Sequence, residues 1–407
     1  MLTMRSHLLV RRRSALLGLA ASVTFGRSSM AVAARATPRD ARFVVVILRG
    51  ALDGMAAVTP YGDPGLSPLR AALLPGEPGQ AGGLLDLGGF YGLHPALTGL
   101  HALYARGEMM PVHAVAAHYR SRSHFEAQDY LESGADQRLS SGWLNRVVGV
   151  MPATRGPDGD GLAVGLSVPL LLRGPTRIGS YAPAGAHRPD PDLYQQIAAL
   201  NRSDPVTGPA FRAGLRAQGF SDAALGTPGT PSTAGAAAKP GSFALLAQAC
   251  GRLLAAPDGP RIAALEAGGW DTHADQKRRL VQPLRQLDDG LIALRDGLGD
   301  DAWRRTVVLV MTEFGRTARI NGTGGTDHGT ATVAFLLGGA VRGGRVAGTW
   351  PGLAGPALFE NRDLAPTTDV RSVALGVLQD HLAIPPSAHA MIFPGPTASP
   401  MRGLVAA

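Results

Sequence analysis

The chain has 407 residues, 45% hydrophobic and 17% charged, enough apolar material for one large core or two ordinary ones and too much for a disordered or fibrous protein. The formal net charge is +8, but six of the 39 basic residues and none of the 31 acidic ones lie in the first 36 positions. The remainder holds 33 basic against 31 acidic residues, a balance of about +2 that removes the electrostatic case for a nucleic-acid partner.

Residues 1–36 read as a targeting segment. Arg11-Arg12-Arg13 precedes an apolar, small-residue stretch through Phe25, and Ala34-Arg35-Ala36 offers small residues at the two positions a signal peptidase reads. Paired arginines ahead of a mildly hydrophobic run resemble a twin-arginine export signal, an address read by export machinery that carries folded proteins. The competing reading, an uncleaved anchor, is disfavoured because the run is shorter than the roughly 20 residues of a spanning helix. No other candidate span follows, so residues 37–407 are expected as one periplasmic or secreted domain without a membrane span.

Phe43-Val44-Val45-Val46-Ile47-Leu48 is continuously apolar, the pattern of a strand covered on both faces, and it ends in Arg49-Gly50-Ala51-Leu52-Asp53-Gly54. The turn after a first parallel strand is a usual place for an active-site residue, which makes Asp53 a candidate; a plain turn residue before Gly54 is the other reading. Residues 60–92, rich in Gly, Pro and Leu, look like an irregular surface excursion. His94–Gly107 has a helical period, and Pro111–Ala116 is a second strand.

That strand leads into His118-Tyr119-Arg120-Ser121-Arg122-Ser123-His124-Phe125-Glu126. Ser123 followed by Glu126 is a capping box for a helix running to about Glu132. The same hydroxyl, at a helix N-terminus among arginines and histidines, is also placed to attack or bind an oxyanion, with His124 beside it. Both readings stay open here. A helix at Trp143–Val150 and short strands around Leu162–Leu172 precede a low-complexity stretch, 207–241, expected as a flexible excursion outside the core.

Ser242–Ala255 reads as a helix holding Cys250, the single cysteine, in the core; one cysteine excludes an internal disulfide and a thiolate-based metal site. Arg261–Leu265 is a strand ending in Glu266-Ala267-Gly268-Gly269-Trp270-Asp271-Thr272-His273. Leu280, Leu284, Leu287, Leu291, Leu294 and Leu298 then make the stripe of a core-facing helix. The β-branched run Thr306–Thr312 follows, completing a parallel strand-helix-strand unit, and ends in Glu313-Phe314-Gly315-Arg316. Gly324-Gly325-Thr326-Asp327-His328-Gly329 precedes a further strand at Ala331–Leu337, and a last helix spans Asp369–His381.

Three polar clusters thus each follow a buried strand: Arg49–Asp53, Glu266–His273 and Glu313–His328. In a parallel sheet all three fall at one edge. Asp271, His273, Asp327 and His328 offer the mixed carboxylate and imidazole set that suits one zinc or manganese ion, and Asp-x-His in extended chain points both side chains the same way.

The export signal, Leu48-Arg49-Gly50-Ala51-Leu52-Asp53-Gly54, Ser121-Arg122-Ser123-His124-Phe125-Glu126, Trp270-Asp271-Thr272-His273, Thr312-Glu313-Phe314-Gly315-Arg316, Gly325-Thr326-Asp327-His328-Gly329 and Thr368-Asp369-Val370-Arg371 resemble the bacterial family known as domain of unknown function 1501. That family is similar to the alkaline phosphatase and sulfatase superfamily. The resemblance implies an α/β three-layer αβα sandwich with a central, mostly parallel sheet, and a small anionic ester as substrate or ligand. It implies metal-ligand roles for Asp271, His273 and His328, and a hydroxyl at Ser121 or Ser123. The superfamily's first-strand Asp falls on Arg49, with Asp53 four residues later, and its Asp-His pair falls on Glu313-Phe314. The expected site therefore holds one divalent ion, with Asp53 and Glu313 as further candidate ligands and Arg49 and Arg316 binding an anion in place of a second ion. Two functions are compatible with this set: a metal-dependent phosphate or sulfate ester hydrolase, or a non-catalytic exported protein binding an anionic ligand or a cell-envelope partner.

Overall fold

A computed structural model describes residues 40–152, 159–182, 207–225 and 242–406, with a few positions between 196 and 204. The export segment read in residues 1–36 lies outside the described residues. Ala41–Ala407 forms one compact unit.

The first strand, β1 (Arg42–Arg49), shows why the sheet must be sandwiched. Phe43, Val45 and Ile47 enter one apolar cluster, Val44, Val46 and Leu48 another, and all six are at most 1% exposed. A strand with no polar face is stable only when both faces are covered. The helices Trp143–Val150, Val370–Asp380 and His389–Ile392 cover the first face. Helices Thr98–Ala105, Phe243–Ala255 and Val281–Trp303 cover the second, the last through the predicted leucines Leu284, Leu287, Leu291, Leu294 and Leu298. The result is the three-layer α/β sandwich expected from the sequence.

The remaining strands are β2 (Val58–Thr59), β3 (Leu85–Asp86), β4 (Gly92–Leu93), β5 (Met109–Ala116), β6 (Gly161–Val164), β7 (Gly179–Tyr181), β8 (Ile262–Gly268), β9 (Thr306–Thr312), β10 (Thr332–Leu337) and β11 (Thr368–Asp369). The central sheet runs β11-β5-β10-β9-β1-β8-β6-β7, and β2-β4-β3 form a small second sheet. Every pairing in the large sheet is parallel except those of β10, which is antiparallel to both β9 and β5. The carboxyl ends of β1, β5, β8 and β9 therefore share an edge with the amino end of β10. That geometry brings His328, four residues before β10, to the same edge as Asp271 and Glu313.

Two expectations change. The excursion at 60–92 carries β3, the start of β4, which pairs with β2 just ahead of it, and a short helix, Leu66–Arg70, whose Arg70 is only 1% exposed. Within the low-complexity stretch, Thr207–Leu225 is a 19-residue helix, and Phe220, Ala224 and Leu225 pack partly buried against the second apolar cluster. Positions 226–241 lie outside the described residues. No described helix is long and apolar enough to cross a membrane.

Candidate metal centre

The loops at this edge are packed backbone to backbone. Gly50, just past β1, has φ +118°, and a Cβ there would stand 2.9 Å from the Asp271 amide nitrogen. A Cβ on Gly325 would lie 2.3 Å from the His273 carbonyl carbon. Both glycines are required by close approach. Arg316 stitches these loops together: fully buried, it donates to the carbonyls of Gly50 (2.9 Å), Ala51 (2.9 Å), Trp270 (3.2 Å) and Thr326 (3.1 Å), and to Asp271 Oδ1 (2.5 Å).

Above that layer, four ligand-type atoms converge. His273 Nε2 is 3.0 Å from Asp271 Oδ1 and 3.0 Å from His328 Nε2. His328 Nε2 is 3.3 Å from Asp271 Oδ1, and His124 Nε2 is 3.5 Å from it. His124, Asp271 and His328 present ligand atoms all within 4.8 Å of one another. With metal–ligand bonds of 2.0–2.2 Å, the donors of a tetrahedral site are roughly 3.3 Å apart. The distances to Asp271 Oδ1 match that spacing, and His273 joins the mutually close set of His124, Asp271 and His328 through two of its members, Asp271 and His328.

The outer ring nitrogens define the tautomers. His328 Nδ1 faces the Arg122 carbonyl at 2.8 Å, His124 Nδ1 faces Glu313 Oε1 at 2.7 Å, and His273 Nδ1 faces Asp327 Oδ1 at 3.3 Å. With Nδ1 on an acceptor, a neutral ring carries its proton there and turns an Nε2 lone pair toward the centre, whereas a doubly protonated ring donates from Nε2 to Asp271 Oδ1. His124 Nε2 is buried and has no hydrogen-bond partner. An orphaned lone pair in such a place is the feature a bound cation would satisfy.

The electrostatics favour an ionised carboxylate in the centre. Partial burial opposes the charge on Asp271, but the Arg316 guanidinium and the imidazoles hold its pKa at about 2. Burial lowers the pKa of His328. That of His124 is raised, chiefly by its hydrogen bond to Glu313. The hydrogen bond from Asn321 lowers that of Asp327.

Other sequence candidates lie elsewhere than expected. Glu313, with no exposed side-chain surface, does not point at the centre: its carboxylate accepts from the Gly50 amide (2.9 Å), His124 Nδ1, Gln128 Nε2 (3.0 Å) and Thr312 Oγ1 (2.8 Å). Burial opposes its charge, but hydrogen bonds from His124 and Gln128 outweigh it and lower the pKa. Asp53 also misses the centre. It is 1% exposed, caps the turn at Ala56, pairs with Arg70 Nη1 at 2.9 Å and accepts from Gln276 Nε2 at 2.7 Å.

Both arginines are already engaged by acceptors of the protein itself. Arg316 is occupied as described, and Arg49 is held by Glu132 (2.8 Å), Glu266 and Gln128 (2.8 Å). Ser123 precedes helix His124–Ser133, but its side chain makes no capping bond. The Ser121 hydroxyl instead bridges the N-cap residue and the first turn, accepting from the Ser123 amide (3.0 Å) and donating to Glu126 (2.8 Å). The sequence reading missed His124 as a potential ligand, although the strand-end rule that found the others applies to it after β5. It missed Gln276 altogether, for which no local signal exists.

The molecule is thus a layered α/β protein with a histidine-rich candidate metal centre at the carboxyl edge of a mostly parallel sheet. Residues 106–391 match the model of the family described as Protein of unknown function (DUF1501), and the chain belongs to that family. No curated protein sequence matches it. Among solved structures it is similar to the phosphonate monoester hydrolase of Agrobacterium radiobacter, at a TM-score of 0.36 and 14% identity over 88% of this chain and 79% of that one. It is also similar to a 2-O GAG sulfatase (TM-score 0.33, 12% identity, 85% and 71% covered). A third is Ps i-CgsB in complex with k-i-k-neocarrahexaose (TM-score 0.35, 11% identity, 73% of this chain). The present chain spans 65% of the length of Ps i-CgsB.

Proposed function

We propose that this chain is an exported, metal-dependent hydrolase of phosphate or sulfate esters, with one zinc or manganese ion held by Asp271, His273, His328 and His124. One observation carries the reading: three imidazoles have Nδ1 on an acceptor and Nε2 converging, within 3.0–3.5 Å, on the ionised Asp271 Oδ1. Structural histidines rarely share such a focus, because like lone pairs repel without a cation between them.

A bound ion would supply Lewis-acid charge at the ester oxygen. The chain's own residues do the rest. Asp327, Glu313 and the Arg122 carbonyl orient the three imidazoles, and Arg316 keeps Asp271 ionised and fixed. The exposed Ser123 hydroxyl, at the N-terminus of a ten-residue helix and next to His124, is the proposed nucleophile or anion contact. With Arg49 and Arg316 occupied, developing negative charge is countered by the ion and the helix N-terminus.

The non-catalytic reading, binding of an anionic ligand or a cell-envelope partner, draws on that same occupancy and on Phe314 standing where the superfamily carries a second ion's histidine. Elemental analysis of untagged protein, recovered after natural export without chelators, separates the two when combined with a panel of phosphate and sulfate esters. One transition metal per chain with ester turnover supports the hydrolase. Metal without turnover favours the binding protein, and no metal removes the assigned ligand set. Export itself is tested by Arg12→Lys with Arg13→Lys: undiminished periplasmic accumulation refutes the twin-arginine assignment.

A further inference from the structure

Beneath the candidate centre lies a buried polar chain that links its two ligand-bearing loops through one side chain. Gln276 is 1% exposed and begins the short helix Gln276–Arg279. Its Oε1 accepts from the hydroxyls of Thr272 (3.0 Å) and Thr326 (2.6 Å). Thr272 stands between Asp271 and His273, and Thr326 directly precedes Asp327 and His328. Gln276 Nε2 donates to Asp53 Oδ2 at 2.7 Å, and Asp53 is fixed by Arg70, whose other donors hold the carbonyls of Thr317 (2.6 Å) and Ala318 (3.0 Å). All five side chains of this chain, Arg70, Asp53, Gln276, Thr272 and Thr326, are at most 2% exposed.

We infer that Gln276 is a positioning residue that sets the spacing between the Asp271/His273 loop and the Asp327/His328 loop, and so the metal affinity of the centre; this rests on the metal reading above. A carboxamide is the group the position requires. It offers an acceptor with two lone pairs to two hydroxyls and a donor to a carboxylate at the same time. Glutamate would set a second carboxylate against Asp53. An apolar residue would leave the Thr272 hydroxyl without its acceptor, the Thr326 hydroxyl with only a 3.5 Å contact to Asp53 Oδ2, and Asp53 Oδ2 with Arg70 as its remaining close donor. The hydroxyls do not touch the ligand atoms. They fix the backbone on either side of them, so an error at Gln276 is transmitted to the spacing of His273 Nε2 and His328 Nε2.

The test uses the full exported chain stripped of metal, titrated with zinc against a chromophoric chelator and with cobalt(II), whose visible spectrum reports coordination geometry. Gln276→Leu is expected to weaken zinc about 10–100-fold and alter the cobalt spectrum, as loss of outer groups around a metal does. Because Gln276→Leu is a core substitution that could fail to fold, Thr326→Val and Thr326→Ser provide a second arm. The serine keeps the hydroxyl and should retain parental affinity and spectrum, whereas the near-isosteric valine should lose both in part. Equal zinc affinity and spectra for the parent and Gln276→Leu, or for Thr326→Val and Thr326→Ser, overturn the inference alone. Failure of the parent to bind either ion overturns the metal reading and this inference with it.

Discussion

Two pairs of carboxylates stand at the same sheet edge and have opposite fates. Asp271 and Asp327 are about half exposed, at 47% and 51%, and face imidazoles; Asp53 and Glu313 are 1% and 0% exposed and face donors of the scaffold. Residue type does not distinguish them, since all four stand beside glycines in the loops at the ends of buried strands. The difference lies in how many protein donors fill their oxygens. Glu313 takes four hydrogen bonds and Asp53 is locked to Arg70 and Gln276. Asp271 has one strong donor, Arg316, and otherwise faces the Nε2 atoms of three imidazoles. A carboxylate saturated by fixed donors organises a site; one left facing imidazole nitrogens is available to a cation.

Truncation experiments on metal-free protein should expose that contrast. Asp53→Ala should have the largest effect, about 3–5 kcal/mol of stability by urea denaturation, because it leaves the Arg70 guanidinium buried without its counter-charge. Glu313→Ala should follow at about 3 kcal/mol, with several buried donors unpartnered and His124 released; zinc affinity should fall tenfold or more in the same protein. Asp271→Ala should cost less, about 1–2 kcal/mol without metal, because its carboxylate is 47% exposed and the buried Arg316 keeps four carbonyl acceptors. Asp327→Ala should stay within about 0.5 kcal/mol.

With zinc bound the ranking inverts for binding: Asp271→Ala should lose the metal while refolded Asp53→Ala keeps a measurable site. If Asp271→Ala destabilises the metal-free chain as much as Asp53→Ala, the division into scaffold and ligand carboxylates is wrong. The sharper version of the comparison is His124→Ala against Glu313→Ala. Equal losses of zinc affinity would mean that Glu313 acts on the centre only through that imidazole.

The strands and helices were legible where a local rule governed them. β1 and β9 declared themselves by unbroken apolar runs, helix Val281–Trp303 by its leucine stripe, and Asp271 and His273 by the alternation of extended chain. Periodicity and end signals depend on neighbours within a few residues, so they are written in the sequence. The helix at Thr207–Leu225 was hidden by low-complexity composition and is supported by burial of Phe220, Ala224 and Leu225, a tertiary contribution. The antiparallel direction of β10 was equally invisible, because an apolar run carries no sign of its orientation.

At the site, the sequence determined that carboxylates and imidazoles would gather at the strand ends. Only the tertiary structure decided their roles. Glu313 is buried by the amide of Gly50, 263 residues away, Arg49 is neutralised by Glu132 and Glu266 at separations of 83 and 217, and Asp53 meets Gln276 across 223. Whether a charged side chain is a ligand, a clamp or a staple depends on which donors reach it first, and those arrive from parts of the chain that no local pattern connects.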